Sequence, residues 1–108
     1  MSITVNIFYT GENGSAKRFA QEMERSGTAE LIRQEKGNLR YEYFVPMNDS
    51  ETVLLIDSWE DQAAIDRHHA SPMMETVAKL REKYDLHMSV QKYVPAQASA
   101  EDKKFIRE

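Results

Sequence analysis

The chain has 108 residues, enough for one domain with one core and not for two. It carries 14 Lys and Arg against 18 Asp and Glu, a net charge of −4, which argues against an electrostatic grip on nucleic acid because phosphate binding needs a local cationic surplus. The absence of cysteine excludes a disulfide framework, a thiol nucleophile and a Cys-ligated metal site. The longest apolar run, Thr52 to Ile56, falls far short of a membrane span of about 20 residues. With no basic-then-apolar leader pattern at the N-terminus, a soluble cytoplasmic protein is expected. Leu, Ile, Val and Phe supply only 22 of the 108 residues, near the ~20 % below which a charged chain tends to stay disordered. Five Tyr, six Met and one Trp make up the difference, so the chain is expected to fold around a thin core that a partner subunit would help to bury.

Residues 3–10 are rich in β-branched and aromatic types. Ile3, Val5, Ile7 and Tyr9 lie on one side and Thr4, Asn6, Phe8 and Thr10 on the other, which reads as a strand covered on both faces. Gly11 to Gly14 is a turn, and Ser15 is the expected N-cap of a helix over 16–36, with Ala16, Phe19, Ala20, Met23, Gly27 and Leu31 at spacings of three and four. Ser26-Gly27 either splits this helix or sets Gly27 on its buried face against the sheet. Gly37-Asn38 stops it. A second strand over 39–45 carries Leu39, Tyr41, Tyr43 and Val45 on one side; Pro46 ends it, and a hairpin loop leads to a third strand over 52–59 that is apolar on both faces until Asp57 and Trp59. A short helix over 61–70 follows. Ser71-Pro72 restarts it as a helix over 72–84, with Ser71 as the expected cap. A final strand over 86–94 alternates Leu86, Met88 and Val90 with His87, Ser89 and Gln91, the pattern of an edge. Residues 1–94 therefore form the domain. Residues 95–108 form a tail, in which Ser99-x-x-Asp102 predicts a short capped helix carrying Phe105 and Ile106.

The order strand–helix–strand, twice, predicts a ferredoxin-like βαββαβ sandwich of the α+β class, with a four-stranded antiparallel sheet and strands 1 and 3 at its centre. Two helices cover only one face of such a sheet. The other face still carries apolar side chains, and a second copy is its simplest cover. A sheet-to-sheet homodimer is expected.

The stretch from Asp57 to Pro72 resembles the antibiotic-biosynthesis monooxygenase family of small dimeric α+β barrels. Asp57, Trp59, Ala64, Ile65 and His68 fall on its pattern of an acid, a spacer, Trp, a helix start, Ala-aliphatic and a His before a Ser/Thr-Pro-like break. Gly37 to Tyr43 looks like the family's Gly-x-x-x-Tyr strand entry, and the likeness covers residues 3–94. The resemblance implies a dimeric barrel and, among the family's activities, cofactor-independent oxygenation of quinols or polyketides, isomerisation of a sugar phosphate, or haem degradation; fold and motif do not choose among them. The haem-degrading branch has a second Trp where His68 stands and a His near Ala78, and this chain has neither.

Several side chains could carry chemistry. His68 and His69 diverge by about 100° on a helix, so they do not share a metal ion easily, and no HExxH is present. No metal and no flavin or nicotinamide cofactor is expected. His68 either is a partly buried His bonded to a carbonyl or acts as base toward an acidic phenol, with His69 pointing elsewhere. Asn6, polar on a covered strand, either is satisfied by a neighbour or points into a pocket to position a ligand group. Trp59, Tyr41 and Tyr43 are core or pocket walls. Asp57 needs a partner, and Arg40, Arg67 or Arg81 would make a structural ion pair. With the family resemblance, these residues lead to the expectation of a cofactor-independent monooxygenase acting on a small planar quinol or polyphenol, with His68 and Asn6 as catalytic groups and Trp59, Tyr41 and Tyr43 lining the substrate site. An isomerase in the same fold and a non-catalytic small-ligand-binding dimer are the alternatives.

Overall fold

A computed structural model describes all residues, 1–108. Strand β1 (Ile3–Thr10) pairs antiparallel with β3 (Thr52–Trp59) on one side and β4 (His87–Tyr93) on the other, and β2 (Asn38–Phe44) closes the far side of β3. The order is β2-β3-β1-β4. The two strands whose residues are apolar on both sides are the central ones, as their composition predicts.

The first helical segment breaks in two, α1 (Ser15–Arg25) and α2 (Thr28–Arg33). Gly27 at the break has φ +82°, and a Cβ there would meet nothing within 4 Å. The glycine is therefore a left-handed turn residue and not a close contact with the sheet, which decides between the two readings of Ser26-Gly27. Gly14, not Ser15, occupies the cap position of α1, while Ser15 Oγ accepts from the Glu12 backbone N–H. Helices α3 (Gln62–His69) and α4 (Met73–Lys83) follow β3. Pro72, not Ser71, precedes the first turn of α4, and Ser71 Oγ is buried without a partner. The tail holds α5 (Ala100–Lys103) with the expected reciprocal Ser99–Asp102 cap, and Phe105 and Ile106 beyond it are exposed.

Helices α1 to α4 all pack on one sheet face. That face contributes Ile7 and Tyr9 from β1, Tyr41 from β2, and Val53, Leu55 and Trp59 from β3. The helices answer with Phe19, Met23, Ile32, Ile65, Val77 and Leu80. Strand alternation sends Thr4, Asn6, Phe8, Leu54, Ile56 and Ser58 to the opposite face, which no element of this chain covers.

Candidate functional site

The end of β3 determines the site. Parity puts Asp57 and Trp59 on the helix side, continuous with Val53 and Leu55. After Trp59 the chain turns, and Asp61 caps α3 by accepting from the Ala64 N–H at 2.9 Å. The i, i+1, i+4 spacing then turns Ala64, Ile65 and His68 inward, and all three are buried. The turn between α2 and β2 presses on this helix from the other side. Gly37 has φ +87°, and a Cβ there would lie 2.6 Å from Ala64 Cβ. That close approach brings Glu35, two residues earlier, to His68.

The His68 imidazole is held on two sides. Its ring stacks on Trp59 with centroids 4.6 Å apart at 29°, and its Nδ1 lies 2.9 Å from Glu35 Oε2. A carboxylate only accepts, so Nδ1 carries the hydrogen and the Nε2 lone pair is left free. Nε2 makes no hydrogen bond within the chain. Burial lowers the His68 pKa and outweighs the opposing pull of Glu35, so the ring favours its neutral form. The partner of His68 is thus not a backbone carbonyl but a carboxylate contributed from 33 positions away.

Trp59 is fixed at its other end by Asp57, whose Oδ1 accepts from the indole Nε1–H. The expected ion pair between Asp57 and an arginine is absent; the indole takes that place, Arg40 pairs with Glu42, and Arg81 bonds to Tyr9. Burial drives the Asp57 carboxyl up from its ordinary 3.8 to about 7, against the lowering effect of the indole hydrogen bond. Tyr41 and Tyr43, hydroxyl to hydroxyl at 2.9 Å, are both pushed well up by burial.

Tyr41, Asp57, Trp59 and His68 border a cavity of about 250 Å³ between the sheet and helices α3 and α4. Val5, Ile7, Leu55, Ile65, Val77 and Val90 make most of its wall, and Tyr41, Asp57, Trp59, His68, His69 and Arg81 supply its polar points. Lys92 of β4 reaches across to Gln62 of α3 at 2.8 Å.

The structure brings together three of the five expected site residues, His68, Trp59 and Tyr41. Tyr43 touches the site only through Tyr41 and borders a separate groove beside α1. The expectation for Asn6 is corrected: it pairs with Ile56 and Gln91 on the sheet face away from the helices, so its amide does not enter this cavity, and its Oδ1 is buried there with no partner. The expectation for His69 is corrected as well, since it borders the cavity with its ring centroid 5.7 Å from that of His68. Three further residues belong to the site: Glu35 through its bond to His68, and Arg81 and Asp57 in the cavity wall, where Asp57 was expected chiefly in a structural ion pair. No group of three or more His, Cys, Asp or Glu side chains is placed to hold a metal ion, and no helix is long and apolar enough to cross a membrane.

A four-stranded ferredoxin-like sheet with an apolar cleft under its helices, and an oriented imidazole in the cleft wall, defines a small α+β protein of the kind that handles small molecules. The sequence pattern of the antibiotic biosynthesis monooxygenase family matches residues 2–80, and the chain belongs to that family. No protein of curated function matches in sequence. Among solved structures, PA3566 from Pseudomonas aeruginosa is similar with a TM-score of 0.76 at 22% identity, covering 89% of this chain and 95% of that one. SnoaB from Streptomyces nogalater, described as a cofactor-independent oxygenase, gives 0.75 at 19% identity over 89% and 94%. Rv0793 from Mycobacterium tuberculosis gives 0.72 at 15% over 93% and 100%. At these identities the likeness bears on the fold.

Proposed function

We propose that the protein is a cofactor-independent monooxygenase of small planar quinols or polyphenols and works as a homodimer. The observation that carries this is His68: neutral, with its ring held by Trp59 and Glu35 and its Nε2 free, in the wall of an apolar cavity. A quinol hydroxyl placed there gives its proton to Nε2, and Glu35 stabilises the imidazolium that forms. The resulting anion is electron-rich enough to reduce dioxygen itself. A carbon–oxygen bond forms, giving a ring hydroperoxide. Cleavage of its O–O bond leaves one oxygen on the ring as a carbonyl and releases the other as water. The quinol supplies all four electrons, and a hydroxylated quinone is the product. The protein contributes water exclusion, a proton acceptor and a proton donor, and Asp57, with its pKa near 7, is suited to return a proton to the departing oxygen. The homodimer reading rests on the uncovered sheet face, where Phe8, Leu54 and Ile56 are only partly buried.

The test is oxygen uptake with a panel of quinols, comparing wild type, His68→Gln and His69→Gln from pH 5 to pH 8. His68→Gln should bind quinol nearly normally and turn it over at least about a hundredfold more slowly, and His69→Gln, at the cavity border but with no carboxylate orienting its ring, should lose far less turnover than His68→Gln. Wild-type activity should fall as the pH drops through the His68 pKa, because protonation removes the acceptor. Full turnover by His68→Gln would refute the assignment. Conversion of a substrate with no oxygen consumed would make the protein an isomerase.

A further inference from the structure

Arg81 projects from α4 into the cavity and donates from Nε at 3.1 Å and from Nη2 at 2.8 Å to the same acceptor, the Tyr9 hydroxyl. That acceptor is neutral. Burial raises the Tyr9 pKa despite the guanidinium beside it, so the phenol does not act as a counter-ion. Arg81 takes part in none of the chain's salt bridges, whereas Arg33 pairs with Glu24 and Glu30, and Arg40 with Glu42. Two of its five N–H groups are used by Tyr9 and three have no partner in the chain. A half-buried guanidinium bonded to no carboxylate leaves donors that an anionic ligand group can use.

The rest of the cavity makes the same point. The chain is acidic overall, with a net charge of −4, yet the charged side chains bordering the cavity are Arg81 and Lys92 against one carboxyl, Asp57. Asp57 supplies only part of a counter-charge, since its hydrogen bond goes to the indole and not to Arg81, and its pKa near 7 leaves it partly protonated at neutral pH. Lys92 is bonded to the neutral Gln62 amide. The cavity is thus a cationic pocket within an anionic protein, with apolar walls suited to a ring.

We infer that the cavity selects planar ring compounds bearing an ionised acidic group, and that Arg81 is the specificity-determining residue that holds this group through its unused N–H donors. This rests on the proposed function for the location of the substrate site, and it adds the charge the substrate must carry. Tyr9 sets the guanidinium plane, so the free edge is presented to the ligand as a fixed fork.

The experiment compares 2,5-dihydroxybenzoate with its neutral carboxamide, with binding measured calorimetrically without oxygen so that turnover does not intervene. Wild type should bind the carboxylate about tenfold or more tightly than the carboxamide, as a charge-assisted fork implies. Arg81→Gln should abolish the preference, the carboxylate losing at least about tenfold more affinity than the carboxamide. Arg81→Lys should keep part of it, and its retained charge and thermal unfolding midpoint guard against a folding defect in the Gln variant. Equal affinities in wild type, a preference that survives Arg81→Gln, or no binding of either probe would overturn the inference. Quinol-driven oxygen uptake without an anion preference would sink this inference and leave the proposed function standing. An anion preference without uptake from any quinol would do the reverse.

Discussion

Asp57 gives the site a pH signature that stability measurements can read without a substrate. Its carboxyl is buried and rises from 3.8 in the open chain to about 7 in the fold. The folded protein therefore holds a proton that the unfolded chain has already lost across that interval. Stability from this group is fully present below pH 3.8 and is lost as the pH climbs toward about 7. At about 1.4 kcal/mol per pKa unit the whole effect is ~4 kcal/mol, of which ~2.5 kcal/mol falls between pH 5 and pH 8. Asp57→Asn keeps an oxygen to accept the Trp59 indole hydrogen and removes the ionisation. Urea unfolding of both proteins at pH 5, 6, 7 and 8 should show the variant gaining on wild type by about 2.5 kcal/mol over the series. His68 changes in the opposite sense. Its lowered pKa means that the unfolded chain takes up a proton first as the pH falls, so stability from this group rises with pH up to its ordinary 6.5. That contribution is common to both proteins and cancels in the difference. A constant offset between the two curves would show that Asp57 is ionised throughout and would remove it as a proton donor.

Gly37 and Gly27 separate backbone strain from contact. Both have positive φ, but a Cβ at Gly37 meets Ala64 Cβ at 2.6 Å and one at Gly27 meets nothing within 4 Å. Gly27→Ala should cost about 1 kcal/mol of unfolding free energy and Gly37→Ala about 2–4 kcal/mol, with loosened contact between Glu35 and His68; equal losses in denaturant titrations would contradict the close approach. Light scattering should give twice the 12.5 kDa chain mass at micromolar concentration, and Ile56→Glu on the uncovered sheet face should give the single mass. A wild-type species of one chain mass would end the dimer proposal.

The fold was legible because its signals are local. β1 and β3 lack the wet face that alternation gives the edge strand β4, and their central places follow. The break at Ser26-Gly27 was visible as a pair of alternatives, and only the empty space around Gly27 decides between them. The family pattern also gains a physical meaning. Gly37 lies well before the Asp57 to His68 stretch, yet the motif residues pack on one another: glycine against Ala64, the Asp57 carboxylate on the Trp59 indole, the indole on the His68 imidazole. The motif describes one packed unit around the cavity wall. Glu35 and Arg81 carried no comparable signal. Glu35 sits in a connection whose path depends on the Gly37 turn, and an arginine on a helix is ordinarily a solvated surface charge.

Asn6 shows where local reading ends. Its strand has two plausible faces, and periodicity says only that Asn6 shares one with Thr4 and Phe8 and opposes Val5, Ile7 and Tyr9. Which set meets the helices depends on register. Val5 pairs with Asp57 and Ile3 with Trp59, so the odd-numbered residues of β1 share the face of the β3 residues that build the site. A slip of one residue would set Asn6 beside Asp57 and turn Val5 outward. Burial fixes the choice. The register as found packs Ile7, Tyr9, Leu55 and Val53 under the helices; the slipped one would place Thr4, Asn6 and Phe8 there and leave Tyr9 and Arg81 apart. The energy that decides where Asn6 points therefore lies in residues other than Asn6, and the same choice of register brings the Tyr9 hydroxyl to the Arg81 fork that borders the cavity.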